Sequence, residues 1–144
     1  MEFIIVEQFK EQPKEVQNVF LDWWKPSVGD IFHFATVSFN NDDSTIGVIG
    51  SKRQIKIAEY GKGEYRIPLF TEGQLRKFIE DKANCKVMIE YTSCENIVIK
   101  ICTQDEVTGS LRYNRKLTFP NNKFDLINSY WKVACKIAKE EVDG

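Results

Sequence analysis

Three segments in the second half of the chain alternate apolar and polar side chains, and this pattern constrains the fold more than any other feature. They span residues 85–91, 97–101 and 111–119. A two-residue period is typical of strands that bury one face of a sheet and leave the other face in water. Short connections between the segments favour an antiparallel meander. The apolar positions are Cys85, Val87, Ile89, Tyr91, Ile97, Ile99, Ile101, Leu111, Tyr113, Leu117 and Phe119.

A helix is predicted on each side of these strands. Residues 71–82 begin with Thr71 and carry Gln74 three positions later, which is the spacing of a capping box. Residues 122–141 place apolar side chains along one face at helical spacing. An apolar helix stripe and a one-faced sheet bury each other, so residues 71–144 are predicted to form an α-β-β-β-α module.

The first 70 residues have shorter and less regular patterns. One helix is predicted over residues 11–24, and Asn- and Asp-rich residues 40–44 are predicted to form a turn. Strands are predicted at residues 1–10, 30–39, 45–50, 54–60 and 64–70. The predicted fold class is therefore α+β, with antiparallel sheets. We expect a single domain over residues 1–144, in which the C-terminal module packs on a small β region at residues 1–70.

Two adjacent tryptophans lie at the end of the first predicted helix. Val16, Val19, Phe20 and Trp23 share one helical face, which places Trp23 in the core and Trp24 at the edge of that face. Trp24 has two interpretations. It covers the seam between the two halves of the chain, or it forms an exposed, partner-binding anchor with Pro26 and Phe32.

The charge balance and the apolar runs exclude several classes of partner. The formal net charge is −1, from 20 basic and 21 acidic residues, and this disfavours nucleic acid as the partner. No apolar run approaches the roughly 20 residues of a membrane span, so no membrane partner is expected. The N-terminus lacks the basic and apolar regions of a signal peptide. We therefore expect a cytoplasmic protein whose four cysteines stay reduced.

The sequence contains little that points to catalysis or to metal binding. His33 is the only histidine, and the cysteines have no Cys-x-x-Cys spacing, which zinc sites usually include. No nucleophile motif accompanies the histidine. We predict no enzyme activity, no metal and no cofactor, although a Cys–His pair between distant residues stays open.

Basic residues form three clusters, within residues 52–56, 112–116 and 132–139, and the first two lie near tyrosines. A solvated face balanced by acids explains such clusters, and an aromatic-lined groove for a nucleotide is the alternative. Arg115 occupies an apolar position of its strand. A β-bulge turns it outward, or else it needs a carboxylate or a ligand. The candidate ligand-binding residues are Tyr65, Arg112, Tyr113 and Arg115.

The stretches FLDWWKPSVGD, IPLFTEGQLRKFIED and LINSYWKVACKIAKEE resemble a group of small, uncharacterised proteins encoded by bacteriophages and prophages of Gram-positive bacteria. The resemblance implies a setting, since such accessory proteins often bind host factors, including CRISPR–Cas and other defence proteins. We therefore expect a non-enzymatic, anti-CRISPR-like inhibitor of a host protein such as a Cas effector. The alternatives are a binder of a small nucleotide signal and, for the assembly state, a homodimer.

Overall fold

The computed structural model describes residues 2–35, 44–92, 96–120 and 125–144, apart from the side chains of residues 35, 44 and 113. Residues 40–43 of the predicted turn at residues 40–44 lie outside this part. Helices and antiparallel strands both occur, which confirms the α+β class. In chain order the elements are α1 (Val6–Lys10), α2 (Lys14–Trp23), β1 (Ile31–Ala35), β2 (Ser44–Val48), α3 (Lys52–Tyr60), β3 (Arg66–Pro68), α4 (Glu72–Ala83), β4 (Lys86–Tyr91), β5 (Asn96–Gln104), β6 (Leu111–Pro120) and α5 (Leu126–Asp143).

The elements divide into two compact units, one of Phe3–Phe70 and one of Met1–Glu2 with Thr71–Gly144. The single-domain organisation over residues 1–144 stays a prediction. No helix among the described residues is long and apolar enough to cross a membrane.

The sheet of the Phe3–Phe70 unit is antiparallel, with the strand order β2-β1-β3. Phe32 lies opposite Gly47 on one side and opposite Pro68 on the other. Because side chains alternate along a strand, Phe32 and Phe34 share one face of the sheet and His33 lies on the other. Phe32 therefore lies beside Gly47, which has no Cβ to contact the Phe32 ring.

Two segments predicted to be strands are helical. The N-terminal segment forms α1, and the segment predicted as a strand at residues 54–60 belongs to α3. The Ser51 hydroxyl oxygen accepts the Gln54 backbone N–H at 3.3 Å, so Ser51 caps the first turn of α3. Lys, Arg, Gln, Ala and Glu are strong helix formers, and in α3 they outweigh the alternation of its two isoleucines.

The buried face of α2 differs from the predicted one. Val16, Gln17, Phe20 and Leu21 are buried on this helix. Trp24, which follows the helix, is buried with them, whereas Trp23 is only partly buried. Trp23 was predicted to be the core residue of the pair, but Trp24 is the more deeply buried of the two.

The second unit confirms the predicted α-β-β-β-α module. The Thr71 hydroxyl oxygen accepts the Gln74 N–H at 3.3 Å, and Gln74 Oε1 accepts the Thr71 N–H at 3.0 Å, so the capping box forms as predicted. Strands β4, β5 and β6 pair antiparallel in chain order. Helix α4 contacts α5 and β4, and α5 contacts β5. The buried core includes Leu75, Phe78, Ile97, Ile99, Ile101 and Val133.

Candidate partner-binding surface

The aromatic anchor predicted from the sequence is buried. Trp24 is 1% exposed, and Pro26 and Phe32 are buried as well. The Trp24 indole Nε1–H donates to Asp30 Oδ2 at 2.9 Å, and the Lys62 ammonium lies 5.9 Å from the centre of the Trp24 ring. A side chain that is enclosed in this way presents no ring to a partner, so the prediction of an exposed anchor at these three residues is wrong.

The paired tryptophans have a structural explanation instead. The Asp30 carboxylate also accepts the Ser27 backbone N–H at 2.9 Å, so one acidic side chain ties the loop after α2 to the Trp24 indole. The Trp23 ring packs edge-on against Phe70, with 5.9 Å between the ring centres. Both indoles therefore stabilise the Phe3–Phe70 unit.

Arg115 has the carboxylate partner that its position in the strand required. Its Nη1 and Nη2 donate to the two carboxylate oxygens of Glu140 at 2.7 and 2.6 Å. These hydrogen bonds raise the pKa of Arg115 and lower that of Glu140. A register shift in the pairing of β5 with β6 lies beside Arg115, at Ile101 and Cys102. The two charges neutralise each other at the edge of an open depression of about 370 Å³.

The members of the predicted ligand site are divided between the two compact units. Tyr65 belongs to the Phe3–Phe70 unit, whereas Arg112 and Arg115 belong to the other unit. Arg112 is exposed on β6, and the side chain of Tyr113 lies outside the described part of the chain. The nucleotide-binding alternative at these four residues therefore stays a prediction.

Burial shifts the pKa of His33 and of two of the described cysteines. Burial, and next the charge of Lys10, lower the pKa of His33 below its usual 6.5. Burial raises the pKa of Cys135 to about 12 and raises that of Cys85 as well. A nucleophilic cysteine needs a lowered pKa, so burial disfavours thiolate formation here. No group of three or more metal-ligating side chains occurs in the part of the chain that the structure describes.

A depression of about 800 Å³ in the second unit has Glu80, Asp81, Asp105 and Glu106 among its lining residues, and the first three of these carboxylates already have partners. Glu80 and Asp81 form ion pairs with Arg76 and Lys77 of the same helix. Asp105 accepts backbone N–H groups of its own turn. This depression therefore supplies no argument for a ligand.

The least buried helix is α3. Only Ala58 of this helix is buried. Arg53, Lys56, Ile57 and Tyr60 follow the spacing of one helical face, and all four are exposed. Ile57 is 45% exposed and Tyr60 is 94% exposed. Together with Lys52, these residues form a basic and apolar surface, which we call the α3 face.

Two cations of the α3 face lie at the N-terminal end of the helix, where positive charge is unfavourable. Lys52 and Arg53 are the first two helical residues, and the first turn contains no acidic residue. The backbone dipole places partial positive charge at this end of a helix. Among the described residues, no ion pair involves Lys52, Arg53 or Lys56. No carboxylate in the described part therefore lies within ion-pairing distance of these three cations.

After α3, the guanidinium of Arg66 packs against two aromatic rings. The guanidinium carbon of Arg66 lies 5.5 Å from the centre of the Phe32 ring and 5.2 Å from that of Phe34. Arg66 Nη1 also donates to the backbone carbonyl of Tyr65 at 3.0 Å. The Tyr65 ring is 57% exposed. The stem of Arg66 lies close to Gly61, the residue that ends α3.

The sequence analysis grouped the cations of the α3 face in one cluster, but it placed Lys52 and Arg53 between two predicted strands and Lys56 on the second of them, which hid their relation to a helix end. The Ser51-x-x-Gln54 spacing is that of a capping box, and it could have identified the helix. Arg66 gave no comparable signal, because its aromatic neighbours are distant in sequence. Comparisons with protein-family models, with curated proteins and with solved structures found no match for this chain.

Proposed function

We propose that this chain is a non-enzymatic binding protein that docks through the α3 face onto an acidic patch of a partner protein. The observation that carries the proposal is the uncompensated positive charge at the start of α3. Such charge lowers the stability of the free helix, and an acidic partner would neutralise it.

The composition of the α3 face favours a protein over a nucleic acid. Ile57 and Tyr60 supply exposed apolar area beside the cations. Tyr and Arg are enriched in the energetically important part of protein interfaces, and a charged rim improves specificity and association rate. The net charge of −1 provides no overall attraction for a polyanion.

The resemblance to phage accessory proteins suggests the class of partner. We propose that the partner is a host protein whose activity the chain inhibits, with bacterial defence proteins, including Cas effectors, as the first candidates. Binding at an acidic surface that normally receives nucleic acid or a basic subunit would block such a protein without any catalysis.

The test begins with affinity capture of the tagged chain from a Gram-positive host lysate and identification of the co-purified protein. That protein is then purified, and its Kd is measured at two salt concentrations. An α3 variant carries Lys52→Glu, Arg53→Glu and Lys56→Glu. We expect it to bind at least about tenfold more weakly, because three interfacial charges are reversed.

A matched control reverses three exposed cations elsewhere, with Lys132→Glu, Lys136→Glu and Lys139→Glu on α5. These lysines lie beyond the first turn of their helix. The control should bind like the unmodified chain. Equal loss in both variants, or a captured partner that proves to be nucleic acid, contradicts docking of an acidic protein on the α3 face.

A further inference from the structure

We propose that Arg66 binds a carboxylate of the partner, as the specific contact beside the more diffuse charge of the α3 face. The inference rests on the proposed function, because it assigns a role in binding the same partner to a residue whose stem lies close to the end of α3. A guanidinium offers two parallel N–H donors to a carboxylate, a geometry that a lysine ammonium does not reproduce.

Arg66 is held in place by groups that leave most of its donors unused. The Phe32 and Phe34 rings lie within 5.5 Å of its guanidinium carbon, and the Tyr65 carbonyl accepts from Nη1. Among the described residues, no carboxylate forms an ion pair with Arg66. The side chain therefore has a restricted position and a charge that nothing in the described part of the chain neutralises.

The aromatic support is itself fixed by the sheet. Phe34 lies opposite Arg66 in the pairing of β1 with β3, and Phe32 lies opposite Gly47 in the pairing of β1 with β2. The absence of a Cβ at Gly47 lets both rings approach that strand closely. A donor group that is ordered before binding loses less conformational entropy when the partner arrives.

The surroundings of Arg66 favour a carboxylate over a phosphate. A phosphate carries up to two charges, and protein sites for it usually combine several cations or backbone N–H groups. Lys62 is the cation nearest to Arg66 in sequence, and it forms an ion pair with Glu59 at 3.0 Å. One guanidinium matches the single charge of an Asp or Glu side chain.

The experiment titrates the isotope-labelled chain with octaglutamate at low ionic strength and follows the Arg66 Nε–Hε signal by proton–nitrogen NMR. Octaglutamine is the uncharged control peptide, and inorganic phosphate is titrated separately. We expect a saturable shift of the Arg66 signal with octaglutamate only. Arg66→Lys keeps the charge but loses the paired donors, so it should weaken octaglutamate binding by about fivefold.

The outcomes separate the two proposals. In one outcome, octaglutamate binds and the α3 variant binds it more weakly, but the Arg66 signal does not shift and Arg66→Lys binds octaglutamate like the unmodified chain. The carboxylate role of Arg66 is then wrong, and the proposal for the α3 face is retained. If the α3 variant binds octaglutamate as tightly as the unmodified chain does, the proposed function itself fails. A stronger response to phosphate than to octaglutamate also overturns the assignment of a carboxylate. If the NMR signals of the other residues are the same in the Arg66→Lys variant as in the unmodified chain, the variant is folded.

Discussion

Replacing Gly47 by alanine tests how rigid the aromatic support of Arg66 is. An alanine Cβ at this position would lie 2.8 Å from Phe32 Cζ, 3.2 Å from Phe32 Cε1 and 3.2 Å from Phe34 Cε1. Carbon atoms attract each other best at about 3.5–4.0 Å, so all three contacts are too short. The clash falls on two rings at once, and Phe32 is buried.

The size of the effect follows from two opposing terms. Forcing an extra methyl group into a packed site costs about 1–3 kcal/mol. Alanine also restricts the unfolded chain, which returns about 0.4–1 kcal/mol where its backbone is allowed. Gly47 is not among the glycines with positive φ, so no backbone strain adds to the steric term. We expect Gly47→Ala to lower the free energy of unfolding by about 1–2 kcal/mol.

The assay is urea denaturation followed by tryptophan fluorescence and circular dichroism. Phe32→Leu removes the ring atom closest to the new methyl group, so the double variant should lose less stability than the sum of the two single variants. A coupling of about 0.5 kcal/mol or more is expected for groups in contact. Unchanged stability in Gly47→Ala, or strict additivity in the double variant, would show that the rings move freely, and the case for a preorganised Arg66 would collapse.

Three further predictions concern other polar contacts. Glu140→Gln should cost about 0.5 kcal/mol or less, because the ion pair with Arg115 is 43% exposed on both sides. Adding Arg115→Gln should cost little more in a double-mutant cycle, and strict additivity would refute the pairing. The pKa of His33 is lowered in the folded chain, so the imidazole binds a proton more readily in the unfolded chain. The free energy of unfolding should therefore fall as the pH drops below about 6.5. Urea midpoints across this range should depend less on pH in His33→Phe, and an equal slope would rule out His33 as the cause. Trp24→Phe leaves the Asp30 carboxylate without its indole donor and should lower the thermal midpoint, at a cost of about 1–3 kcal/mol. An unchanged midpoint would mean that solvent replaces that donor at no cost.

The C-terminal module was predictable because its signals are local. The three strand segments and the Thr71–Gln74 capping box each depend on neighbouring residues, and the structure has both. The predicted buried face of the sheet is kept only in part, because Val98 and Cys102 are buried whereas Tyr91 and Leu111 are exposed. The partner of Arg115 was not predictable in the same way. The strand pattern showed that Arg115 needs a carboxylate or a bulge, but Glu140 lies 25 positions further along the chain.

The face of α2 was misjudged for a physical reason. Gln17 is buried, and its Nε2 donates to the backbone carbonyls of Gln12 at 2.7 Å and Lys10 at 3.4 Å. A satisfied glutamine therefore occupies a core position that hydropathy assigns to solvent. The inner face is therefore shifted towards Leu21 and Trp24, and Val16, Phe20 and Trp24 follow a second helical spacing that also fits the sequence.

The same contrast explains why the candidate site lies on α3 and not at the tryptophans. The Trp24 indole is buried and hydrogen-bonded, so its chemistry is fully used within the fold. Helix α3 buries only Ala58 and begins with Lys52 and Arg53 at the end where cations are least favourable. A local arrangement that lowers stability, with no packing gain to offset it, is the kind of departure expected at functional sites. An acidic partner changes the sign of this contribution, because it turns the repulsion within the helix into attraction across an interface.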